Sequence, residues 1–142
     1  MTIRRILDAR NFEIVTCGAD LTVSQAIDLL AEHRIGALPV MEAGSVVGIF
    51  SERDAIYRLR ELGAKALSLN VRDAMTTPAV SVDPGTEALE ALTLMTKRRI
   101  RHLPVIENGR MIGFVSIGDL VKYRIETIQS EAEAMRDYIQ TA

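Results

Sequence analysis

The chain has 142 residues, a formal net charge of −2, and three Tyr and three Phe but no Trp. It offers neither the basic field nor the stacking platforms that nucleic-acid binding needs. No eighteen apolar residues run together, Met1–Asp8 lacks the apolar core of a secretory leader, and Cys17 is the sole cysteine, so a cytoplasmic protein with no membrane span, intramolecular disulfide or multi-Cys zinc site is expected.

In chain order, residues 2–9 read as a short helix with Ile3, Ile6 and Leu7 on one side, and Asn11 releases the chain into a strand, Phe12–Thr16. Gly18-Ala19-Asp20 turns it. Thr22 and Gln25 have the spacing of a capping box, and Val23, Ala26, Ile27 and Leu30 recur at helical period, which predicts a helix over 23–33 ended by Gly36. Two short apolar runs, 37–41 and 46–50, form a hairpin around Glu42-Ala43-Gly44-Ser45. Ser51 to Asp54 then opens a helix that runs to Leu62 and stops at Gly63. A connection over 64–76 carries a short helical piece at Val71–Met75, and Pro78 restarts the order. Strand 79–82, turn Asp83-Pro84-Gly85, helix 87–98, strands 102–106 and 111–115 and a last helix from about 118 complete the chain. In that helix Val121, Ile125, Ile128, Ala132, Met135 and Ile139 make an apolar seam, suited either to packing on its own domain or to meeting a second chain.

The chain repeats itself. Sliding residues 15–54 onto 80–119 gives thirteen identities without a gap, among them Arg34-Ile35 with Arg99-Ile100, Leu38-Pro39-Val40 with Leu103-Pro104-Val105, Gly48 with Gly113, and Ser51 and Asp54 with Ser116 and Asp119. Chance would give about two or three. Two copies are too few for a solenoid, so the pattern predicts two fused α/β units sharing one core.

Catalytic and metal signatures are missing. His33 and His102 have no Cys, His or carboxylate at ligand spacing, and there is no Walker A sequence, dinucleotide glycine fingerprint or nucleophile elbow, so no enzyme and no required cofactor is expected. Met41, Met75, Met95 and Met111 fall at apolar positions and read as core filler. Cys17 reads as a small buried strand residue.

A β-α-β-β-α unit present twice, carrying Arg-Ile-x-x-Leu-Pro-Val, a glycine hairpin and Ser-x-x-Asp, resembles the CBS domain, and two in tandem resemble a Bateman module. Ser51-Glu52-Arg53-Asp54 and Arg72-Asp73-Ala74-Met75-Thr76 look most like the stand-alone CBS-pair proteins of bacteria and plant organelles. The resemblance implies an α+β fold with pseudo-twofold symmetry: repeat one over 3–62, a connection over 63–78, repeat two over 79–125, and a C-terminal helical extension over 126–142. It also implies a regulatory nucleotide sensor that binds AMP, ADP, ATP, NAD or S-adenosylmethionine between the repeats, acts as a homodimer and passes occupancy to another protein. The competing reading is a structural or interaction module with empty clefts that dimerises through its helices.

The resemblance further implies crossed clefts. Ser51, Arg53 and Asp54 pair with Val80, Ser81, Asp83, Ile100, Arg101 and His102, while Ser116 and Asp119 pair with Val15, Thr16, Cys17, Ala19, Ile35, Gly36 and Ala37. The residue chemistry agrees, because an Asp carboxylate can accept two hydrogen bonds from the ribose 2′- and 3′-hydroxyls and a Ser at a helix start suits a phosphate. The plainer role for Asp54 and Asp119 is to cap their helices. Lys97, Arg98, Arg99 and Arg101 read as partners of a helix C-terminus on a solvated face, with one of Arg101 and His102 turned into the cleft. Since Arg53, Arg101 and His102 answer to Gly118, Gly36 and Ala37, the Ser51–Asp54 cleft is expected to be the stronger phosphate site.

Overall fold

The computed structural model describes residues 1–9 and 13–141. Helix α1 (Ile3–Asp8) opens the chain, followed by the two-residue strand β1 (Cys17–Gly18), helix α2 (Val23–His33), the hairpin of β2 (Ala37–Glu42) and β3 (Ser45–Ser51), and helix α3 (Glu52–Leu62). A 3-10 segment, Gly63–Ser68, and helix α4 (Val71–Ala74) lead into helix α5 (Ala88–Arg98), the hairpin of β4 (His102–Glu107) and β5 (Arg110–Ser116), and the 25-residue helix α6 (Ile117–Thr141).

Helix α2 starts where its capping box predicts: Gln25 N donates to Thr22 Oγ1 at 3.1 Å and Thr22 N to Gln25 Oε1 at 3.0 Å. Its end differs from expectation. Arg34, not Gly36, takes the left-handed conformation, and Arg99 does the same after α5. Ile35 N donating to Leu30 O and Ile100 N to Met95 O close a 6→1 turn at each end, which compensates the steric cost of a left-handed Arg.

The two hairpins share one register. Ala37 faces Ser51 and His102 faces Ser116, and each hairpin bulges at the same place, between Val40 and Met41 and between Val105 and Ile106. β1 pairs parallel to β2 through Cys17–Val40. The predicted strand at 12–16 is not one: Glu13–Thr16 carry no regular structure, and Asn11 and Phe12 lie outside the described residues. The predicted strand 79–82 shrinks to a single parallel bridge, Val82–Val105, equivalent to Cys17–Val40. Both segments run along the edge of a hairpin and gain only one or two ladder contacts, too few for an extended strand.

The expected shared core is in fact two. One gathers Val23, Ala26 and Leu30 of α2, Leu38, Val40 and Phe50 of the first hairpin, and Val71 and Ala74 of α4. The other gathers Ala91 and Met95 of α5, Leu103, Val105 and Val115 of the second hairpin, Leu120 of α6, and Ile3 and Ile6 of α1. Thus the N-terminal helix completes the second repeat and the connecting helix completes the first. The exchange is symmetric: Thr2 bridges Glu87 as Asn70 bridges Thr22, and Arg4 pairs with Glu107 as Arg72 pairs with Glu42.

The C-terminal seam does not pack on its own domain. Every described side chain from Ile128 to Thr141 is exposed.

Candidate functional site

Ser51 ends β3 and caps α3, and the same box recurs at Ser116. Ser51 N donates to Asp54 Oδ2 at 2.9 Å and Asp54 N to Ser51 Oγ at 3.3 Å, while the Ser51 hydroxyl donates to Oδ2 at 3.0 Å. Ser116 N donates to Asp119 Oδ2 at 2.9 Å and Asp119 N to Ser116 Oγ at 3.1 Å. Both Ser-x-x-Asp motifs therefore cap their helices, as their spacing allows.

The start of α3 opens onto a cavity of about 360 Å³ between the repeats. From repeat one it is lined by Gly36, Ala37, Ile49, Ser51, Glu52, Arg53, Asp54 and Tyr57, and from further along the chain by Thr76, Pro78, Val80 and the run Arg98–His102. Seven of the nine residues expected in this cleft meet here: Ser51, Arg53, Asp54, Val80, Ile100, Arg101 and His102. Ser81 and Asp83 are not among its lining residues. Asp83 instead holds its own turn, accepting from Gly85 N at 2.8 Å. Both Arg101 and His102 line the cavity, where only one was expected to, because Arg101 precedes the first residue of β4 and escapes strand alternation.

Asp54 is more engaged than its sequence suggests. Besides Ser51 on Oδ2, it accepts a hydrogen bond on Oδ1 from Thr76 Oγ1 at 2.9 Å. A carboxylate has about four acceptor positions, so a single one remains on Oδ1. Asp54 can take one further donor, not the pair a ribose diol would present, unless Thr76 yields.

The walls carry four arginines, Arg53, Arg98, Arg99 and Arg101, against two carboxylates, Glu52 and Asp54. Arg53 crosses between the repeats, its Nη1 donating to the Arg99 carbonyl at the end of α5 at 3.1 Å. The positive pole of α3 adds to the same field. Ile49, Pro78, Val80 and Ile100 supply apolar surface to the same cavity.

His102 stacks on Phe114 with ring centroids 5.5 Å apart and lies beside Gly36, whose added Cβ would stand 3.6 Å from Cε1. Burial, helped by Arg101, lowers the pKa of His102 below its usual value, and Asp119 and Glu52 oppose the shift without cancelling it.

The residues expected around Ser116 and Asp119 fall in several places. Gly36 and Ala37 line the cavity just described, and Val15 and Ile35 pack on the first core. Thr16, Cys17 and Ala19 border a separate open hollow beside Asp20 and Glu42. Desolvation drives the Cys17 thiol up to about 11, which keeps it protonated and unreactive at neutral pH.

Thr76, Tyr57, Arg98 and Arg99 are site residues that the motif reading passed over. Tyr57 lies four positions after Arg53 and so on the same helical face, a signal that was available. Thr76 follows Met75 directly, but nothing in the sequence placed that segment against α3.

Comparison with known proteins agrees with this architecture. The CBS domain matches residues 4–61 and again 71–126. The chain belongs to the CBS domain family. A mitochondrial CBS domain-containing protein of Arabidopsis thaliana, CBSX3, is 39 % identical over 129 residues, which are 87 % of this chain and 63 % of the plant protein. The chain thus spans under two thirds of that relative's length. Among solved structures, a CBS-domain protein of Agrobacterium tumefaciens is 40 % identical with a TM-score of 0.83, covering 87 % of this chain and 92 % of its own. The CBS domain pair of protein MJ0100, solved with 5′-methylthioadenosine and S-adenosylmethionine, shares the fold at a TM-score of 0.78 and 20 % identity, over 89 % of this chain and 98 % of its own. No helix among the described residues is long and apolar enough to cross a membrane.

Proposed function

We propose that this CBS pair is a non-enzymatic regulatory module, working in the cytoplasm as a homodimer, that binds an adenine nucleotide between its repeats and passes the occupancy to another protein. The observation that carries the reading is the cavity itself, whose lining, drawn from both repeats, combines four arginines and a helix start with the apolar residues Ile49, Pro78, Val80 and Ile100. A phosphate group fits Arg53, Arg98, Arg99 and Arg101, whose guanidinium groups form charge-assisted hydrogen bonds to such oxygens. One ribose hydroxyl fits the remaining position on Asp54 Oδ1, and adenine fits the apolar side formed by Ile49, Val80 and Ile100, with Tyr57 at the margin. The methylthioadenosine and S-adenosylmethionine of MJ0100 support the ligand class. The charge of this cavity favours the phosphate-bearing members, AMP, ADP, ATP or NAD, over S-adenosylmethionine.

Thermal denaturation across AMP, ADP, ATP, NAD and S-adenosylmethionine tests the reading. A ligand at a hundred times its Kd adds about 2.7 kcal/mol, which in a domain of this size raises Tm by roughly 2–4 °C per kcal/mol. Failure of every adenine nucleotide at millimolar concentration to raise Tm by a degree refutes it, and favours a module that works only through its surfaces.

A further inference from the structure

Helix α6 runs to Thr141, whereas the CBS match ends at residue 126. Over this extension none of the described residues covers the helix, and an uncovered helix of this length is marginal in water. It nevertheless keeps its apolar seam, with Ile125, Ile128, Met135 and Ile139 exposed by 49–66 %. In heptad terms Ile125, Ala132 and Ile139 occupy a, and Val121, Ile128 and Met135 occupy d.

The flanking charges select both the partner and its direction. Glu131 stands at g and Arg136 at e of the next heptad, the pairing that a parallel, in-register dimer brings together across the seam, once on each side. The antiparallel register that keeps every apolar layer instead sets Glu131 against Glu131 and Lys122 against Arg136. The seam is therefore complementary to its own copy in one orientation only.

We propose that residues 125–141 of two copies of this chain pair as a parallel two-stranded coiled coil. The proposal gives a place to the homodimer suggested above, on which it rests, and is independent of what the cavity binds.

Cysteine scanning of the full chain tests it, since the native Cys17 is 4 % exposed and does not compete. Met135→Cys puts like residues opposite one another in the parallel pair, while Asp137→Cys lies at f on the outer side. Under mild oxidation Met135→Cys is expected to give a covalent dimer at least tenfold faster than Asp137→Cys. Glu131→Arg in the Met135→Cys background should slow cross-linking about fivefold, and adding Arg136→Glu should restore it. Equal rates at 135 and 137, or no cross-link at 135, overturn the proposal, as they would for a helix meeting another protein, a lipid surface or an antiparallel copy. A chain that sediments as a dimer without cross-linking at 135 refutes the coiled coil but leaves the homodimer standing.

Discussion

Arg53→Ala separates a phosphate contact from a structural tie. The side chain leaves α3, lines the cavity and donates from Nη1 to the Arg99 carbonyl at 3.1 Å, so its loss removes one cation from the ligand's surroundings and one bond between the repeats. The first effect belongs to binding. A hydrogen bond to a charged group is worth about 1.5–3 kcal/mol, which is roughly ten- to a hundredfold in affinity. The second effect belongs mainly to stability and is shared by every ligand. Calorimetric titration with ATP and with adenosine tells them apart: ATP should weaken by about ten- to a hundredfold, whereas adenosine should stay within about twofold because it presents no phosphate. The salt dependence of ATP binding should also flatten in the variant, since a screened charge has gone. An equal loss for ATP and adenosine would show that Arg53 only positions α5, and unchanged ATP binding would place the phosphate away from it; either result refutes the reasoning.

Asp54→Ala should weaken nucleotide binding, because Asp54 lines the cavity, whereas Asp119→Ala, whose box caps α6 and is not among the lining residues, should spare it; calorimetric titration showing equal losses in two folded variants contradicts the assignment of the ligand to this cavity. His102, held below its usual pKa, takes up its proton more readily when unfolded, so its contribution to stability is complete above about pH 6.5 and is lost as pH falls from there toward its folded pKa. Tm should therefore drop across that window, and His102→Gln should flatten the slope; identical slopes would refute a half-buried imidazole held neutral. Ala43 sits at φ 53° in the first hairpin turn where the second has Asn108 at φ 51°, so Ala43→Asn should add about 0.5–1 kcal/mol by relieving a left-handed alanine. A lower Tm in that variant would refute the strain.

The parts of the fold legible in the sequence are those set by local rules. The capping box at Thr22 and the helical period that follows it locate α2, and turn residues flanked by apolar runs locate both hairpins. Where partners are distant, the reading fails. β1 exists only through Cys17–Val40 and Gly18–Met41, and a parallel pairing of two residues leaves no alternation to read. The exchange of α1 and α4 is hidden for the same reason, since Ile3, Ile6, Val71 and Ala74 look equally apolar whichever core they join. In the candidate site, the paired motifs pointed to Ser51 and Asp54, while their counterparts Ser116 and Asp119 are not among its lining residues. Arg98 and Arg99 read as surface charge at a helix end, and they are exposed; that they also border the cavity depends on where repeat one lies.

The glycines at 48 and 113 explain why exchange and cavity belong together. A Cβ on Gly48 would stand 2.7 Å from Met75 Sδ and 2.8 Å from the Thr76 carbonyl, and one on Gly113 would stand 2.5 Å from Leu7 Cδ2. At Gly48 one of these atoms is backbone, so glycine lets the chain after α4 lie this close to β3, while at Gly113 the neighbour is the Leu7 side chain of α1. At Gly48 that approach allows Ile49 and Thr76 to exchange two backbone hydrogen bonds, at 3.0 and 2.9 Å, which fixes Thr76 where its hydroxyl reaches Asp54. Asp54 therefore joins two things, the start of α3 and the end of the segment connecting the repeats. On the proposed reading, a ribose diol that engages Asp54 with both hydroxyls must displace Thr76 from Oδ1, and occupancy is then felt first by the connecting segment. A ligand contributing a single hydroxyl leaves Thr76 in place. The same cavity can thus bind two adenine nucleotides and respond to only one, because the binding energy that shifts a conformation is only the part that differs between the two states.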